Sequence, residues 1–74
     1  MDKLNKIIIS DLKYYIKTSN KTLSEFSSYL AEEILDTHDN NEIKDILQEQ
    51  GFNECESIFY NLVDYIEYQH SLLK

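Results

Sequence analysis

The sequence predicts an all-α protein, a compact bundle of four helices forming one domain over residues 1–74, and three observations carry that prediction. Apolar residues recur at three- and four-residue steps along most of the chain, the period of helices that bury one face. With no proline and a single glycine, Gly51, the chain has almost nothing to break a helix. Helix-start patterns at Thr22 and Asn53 fall where the apolar periodicity needs a helix to begin.

The first helix is expected over residues 3–18, with Leu4, Ile8, Leu12 and Ile16 as its stripe and Ile9 and Tyr15 on the flanks. Thr18, Ser19 and Asn20 prefer turns to helix interiors and end it. A capping box opens the second helix, over 23–36: the Thr22 hydroxyl accepts from the third amide while Glu25 reaches back. Leu23, Phe26, Leu30 and Ile34 make its inner face, and the polar run 36–41 closes it.

A short third helix over 42–50 is expected to start at Asn41 and to bury Ile43, Ile46 and Leu47. Gly51 suits the left-handed position beyond its end, which brings Phe52 back towards Leu47. The fourth helix, over 54–73, is expected to open on Asn53 and Glu56. Its inner face is Cys55, Phe59, Leu62, Ile66 and Leu73, with Ile58 beside them. Short connections then make successive helices antiparallel neighbours.

Size and composition narrow the class of function. One core is all that 74 residues support. The longest apolar run is Ile7, Ile8 and Ile9, far below the roughly 20 residues that span a bilayer, and Met1, Asp2 and Lys3 do not begin a signal peptide. Cys55 is the sole cysteine, so no internal disulfide staples the chain. A soluble, cytoplasmic protein without a membrane partner is expected.

Charge is the most informative feature. The formal charge is −7, yet residues 1–21 carry five lysines against two aspartates, which is +3, and residues 22–74 carry two lysines against twelve acids, which is −10. Direct binding to nucleic acid is therefore not expected. At 100° per residue, Glu25, Tyr29, Glu32 and Asp36 gather opposite the apolar face of the second helix, and Glu56, Tyr60, Asp64 and Glu67 do so on the fourth. Each stripe is about 16 Å long at the rise of an α-helix. Charged outer faces keep any small helical protein soluble. The crowding of Glu32, Glu33 and Asp36, and of Glu56, Asp64 and Glu67, goes further, because like charges one turn apart repel and few basic residues stand beside them. These eight residues are the candidate partner-binding set, with tyrosines as anchors of the kind enriched at interfaces. On the first helix Lys3, Lys6, Lys13 and Lys17 surround Asp11 and are expected to pair with acids of this molecule or of a second copy.

Catalytic and metal-binding patterns are nearly absent. Cys55 lies on the expected core face between Glu54 and Glu56, which would raise a thiol pKa rather than lower it. One cysteine with His38 and His70 makes no zinc spacing, and the calcium-loop start at Asp36 fails because Leu47 stands where a bidentate glutamate is needed. His38 reads as a surface residue and His70 as a cation near a helix C-terminus. No cofactor, metal or enzymatic activity is expected.

In size, acidity and helical character the chain resembles the small acidic proteins that phages and mobile elements make to disable host enzymes, among them some anti-CRISPR proteins and other DNA mimics. That resemblance implies an inhibitor or modulator that covers the basic nucleic-acid site of a target protein. Two other functions fit the residues: a homodimeric structural or adaptor module joined through Tyr65, Tyr68 and Leu72, and an immunity or antitoxin protein that neutralises a basic toxin.

Overall fold

The computed structural model describes residues 3–18, 20–52 and 57–73. The order is α1 (Lys3–Thr18), α2 (Leu23–Thr37), α3 (Asn40–Glu49) and α4 (Ile58–Leu73), with no strand among the described residues. The all-α, four-helix reading of the sequence holds. A radius of gyration of 11.6 Å is close to the ~11 Å expected for a folded chain of this length, so the helices close on one another within a single copy.

Local chemistry explains the helix ends. At the start of α2 the Glu25 amide donates to Thr22 Oγ1 at 3.2 Å and the Thr22 amide donates to Glu25 Oε1 at 3.4 Å, which completes the expected capping box. At the end of α3, Phe52 N donates to the Leu47 carbonyl at 3.0 Å and Gly51 N to the Gln48 carbonyl at 3.0 Å, with Gly51 at φ +87°. This is the Schellman arrangement anticipated from Gly51 and Phe52.

Two boundaries move. Asp39, not Asn41, caps α3, because its carboxylate accepts from the Asn41 amide at 3.3 Å and lets the helix begin at Asn40. Helix α4 begins at Ile58, four residues later than expected, and the Asn61 amide donates to the Ser57 carbonyl in its first turn. The proposed cap at Asn53 and Glu56 lies outside the described residues, as does Cys55.

Helix α4 is the common partner of the other three. It packs most extensively on α2 and also on α1 and α3, so the bundle is organised around the last helix rather than by neighbours in sequence. The core comprises Leu4, Ile8 and Leu12 of α1, Leu30, Ala31 and Ile34 of α2, Ile43, Ile46 and Leu47 of α3, and Leu62, Tyr65 and Ile66 of α4. On α2 the small residues Ser27 and Ala31, one turn apart and fully buried, let another backbone come close.

Two residues expected elsewhere, Tyr65 and Ile16, change places, and His70 is more buried than its position at a helix end implied. Tyr65, assigned to an outer dimer contact, is only 1% exposed. Its hydroxyl donates to Asn5 Oδ1 of α1, and its ring meets Phe52 edge-on with centroids 6.3 Å apart. His70 stands in the last turn of α4, as expected, and is buried there with its ring edge-on to Tyr15, at 5.8 Å. Ile16, the last of the α1 stripe, is 48% exposed, because four-residue steps drift around a 3.6-residue helix and carry it off the buried face.

Leu12→Ala should therefore cost about 2–5 kcal/mol of folding free energy, whereas Ile16→Ala should cost less than about 1 kcal/mol. Urea denaturation of the two variants reads the difference. Ser27 Oγ is buried without a hydrogen-bond partner among the described residues. Ser27→Ala should accordingly raise stability, by about 1 kcal/mol, in the same measurement.

Candidate functional site

The acidic residue set is placed as follows. On α2, Glu25, Tyr29, Glu32 and Asp36 are all exposed. Glu25 is committed locally, since its carboxylate accepts from both the amide and the hydroxyl of Thr22. Among the described residues, no ion pair or side-chain hydrogen bond engages Glu32 or Asp36. On α4, Tyr60 and Asp64 are exposed and Glu67 is half-buried, so that stripe is narrower than its spacing implied. Glu56 lies outside the described residues.

Three lysines of α1 do not neutralise the described acids. Lys6, Lys13 and Lys17 are exposed, and none makes an ion pair with a described acid. The expected pairing inside one molecule is thus not seen for these three among the described residues.

A second feature was not foreseen. The ends of α1 and α2 near their connection are held by Tyr15, which stacks on Phe26 with centroids 4.4 Å apart and an interplanar angle of 26°. The Tyr15 hydroxyl donates to the Lys21 carbonyl at 2.9 Å, tying the connection to the same ring. Beside this joint lies an open groove of about 500 Å³. Tyr14, Tyr15, Phe26 and Tyr29 furnish its aromatic walls, and Asp11 from α1 and Glu33 from α2 place a carboxylate on each side. Lys21 Nζ lies 4.7 Å from the centroid of the Tyr29 ring, within range of a cation–π contact.

Partial burial pushes the Asp11 carboxyl above its usual range, and the negative charge of Glu33 adds to the effect. The groove thus concentrates negative charge beside aromatic faces, where a positive group would relieve the repulsion. Among the described members of the predicted set, Tyr29 is the one that the fold brings into this groove. Asp11, Tyr14, Phe26 and Glu33 were not singled out as a site. The signal available was Asp11 standing alone among lysines one turn before the Tyr14 and Tyr15 pair, but only folding sets Glu33 near it.

Compared with known proteins, the chain matches no protein-family model, no curated protein and no solved structure. Its own geometry is therefore the basis for a functional reading. Among the described residues, no group of three or more His, Cys, Asp or Glu side chains is placed to hold a metal ion. No helix described is long and apolar enough to cross a membrane.

Because Asp11 holds its proton more tightly in the folded state than in the unfolded chain, its ionisation opposes folding. That contribution is absent below the ordinary carboxylate range and grows as pH rises through the raised pKa. Asp11→Asn should consequently raise the melting temperature at pH 7, and the gain should disappear near pH 3. Thermal denaturation of both proteins at the two pH values checks it.

Proposed function

We propose that this chain is a small acidic binding protein that occupies the basic nucleic-acid-binding surface of a target protein and so inhibits or modulates it. The observation that carries this reading is the −10 formal charge of residues 22–74, with Glu32, Asp36 and Asp64 standing exposed and without ionic partners among the described residues. Repulsion between like charges one turn apart costs a few tenths of a kcal/mol per pair, which folding alone does not repay. A positive surface would repay it, and would be steered towards the acidic side of the molecule over a Debye length of roughly 8 to 10 Å. Tyr29 and Tyr60, both exposed beside the acids, supply rigid contact area at small entropic cost. In this reading the chain acts as phage and mobile-element inhibitors do, by presenting acids where a target expects phosphates, and a basic toxin is an alternative target of the same physics.

A homodimer is the second reading. It is supported by Tyr68 and Leu72, exposed one turn apart on α4. Tyr65 takes no part in it, being in the core.

The test is capture from host lysate on the immobilised protein, with elution by salt and by competing DNA. A basic nucleic-acid enzyme should be retained at low salt, released at high salt and displaced by DNA. The double reversal Glu32→Lys with Asp36→Lys should weaken its binding at least about tenfold, equivalent to ~1.4 kcal/mol. Binding that ignores both salt and charge reversal would remove this proposal, and self-association that persists in high salt and is lost in Leu72→Asp would establish the dimer.

A further inference from the structure

The groove between α1 and α2 has the chemistry to recognise one kind of side chain. Its volume of about 500 Å³ lies within the range of clefts that enclose small ligands. Four aromatic rings line it, and carboxylates stand on both helices that form it. The protein already seats a cation against one wall, the Lys21 ammonium over Tyr29, which shows that this ring is accessible to positive charge.

A guanidinium satisfies such a place better than an ammonium. It is planar and weakly hydrated, so it stacks on an aromatic face, and its five donors form a fork that serves two carboxylates together. An ammonium is a compact and strongly hydrated point charge that gains less from an open aromatic cleft. A phosphate or an acidic peptide would meet Asp11 and Glu33 with like charge. The oppositely charged occupant is favoured twice, by the carboxylates and by the negative faces of the rings.

We propose that the α1–α2 groove receives an arginine side chain of the partner protein, stacked against the wall formed by Tyr14 and Tyr29 and bridged between Asp11 and Glu33. This rests on the reading that the partner is basic, and it adds the residue type and the point of attachment. Lys21 then competes with the incoming arginine for Tyr29 and sets the affinity of the groove.

The experiment uses the full chain, isotopically labelled, titrated with three blocked tripeptides, Gly-Arg-Gly, Gly-Lys-Gly and Gly-citrulline-Gly, and followed by NMR. The arginine peptide should give saturable shifts at Asp11, Tyr14, Phe26 and Glu33, the lysine peptide weaker ones and the neutral citrulline peptide none. Glu33→Gln, at an exposed position that leaves the fold intact, should weaken arginine binding about five- to tenfold, and Lys21→Gln should strengthen it about two- to fivefold. Equal responses to arginine and citrulline, equal responses to arginine and lysine, or shifts spread over Glu32, Asp36 and Asp64 without the groove would each overturn the proposal. Saturable arginine binding in the groove, with no basic protein captured from lysate, would uphold the pocket and overturn the docking reading. Capture of a basic protein unaffected by Glu33→Gln would do the reverse.

Discussion

Burial of α4 is the constraint on which the rest of the molecule depends. The buried residues Asn61, Leu62, Tyr65, Ile66, Gln69 and His70 sweep about half of its circumference at 100° per residue. A helix with so wide a buried arc is not covered by one neighbour, and here α1, α2 and α3 all pack on it. Tyr65 makes the arrangement specific: it joins α4 to α1 through Asn5 and to the end of α3 through the edge-on Phe52 ring. With one cysteine and so small a core, the fold relies on this shared contact, not on a covalent staple.

What α4 does not cover stays open at the surface. Helices α1 and α2 spend their apolar faces on the last helix and meet each other chiefly through the stack of Tyr15 on Phe26. A joint made by two rings at one corner leaves a cleft beside it, because helix backbones held at a distance by aromatic side chains do not close. The residues that line this cleft lie at the rims of the two buried faces, where aromatic and charged side chains occur together on amphipathic helices. Asp11 is drawn into partial burial by that geometry, and Glu33 approaches it from the other helix.

The electrostatics follow from the same economy. Lys6, Lys13 and Lys17 of α1 are exposed, as are Glu32 and Asp36 of α2 and Asp64 of α4. Among the described residues, these three lysines do not cancel the charge of the acids, so each sign keeps its own field. Glu25 is the exception, for its carboxylate is held at the start of α2, where an acid caps the helix and complements its dipole.

Much of the fold was legible in the residues. The capping box at Thr22 and Glu25, the turn at Gly51 and the apolar triads of the helices are rules of neighbours within a few positions, and they placed all four helices. Periodicity identified Leu62 and Ile66 as core because they are apolar; it assigned Tyr65 to the outside because an amphipathic ring is equally at home in either place. The acidic stripes were visible as spacing, yet spacing alone did not show that Glu25 is engaged by Thr22 or that Glu67 is half-buried. The sequence by itself determined the four helices, the capping box that opens α2, the glycine turn that closes α3 and the imbalance of charge, since each depends on covalent order and short-range geometry. Only the tertiary structure decided that α4 is the centre, that Tyr65 is buried and that Asp11 and Glu33 share a groove, because each joins residues of different helices whose approach is set by how whole helix faces are covered.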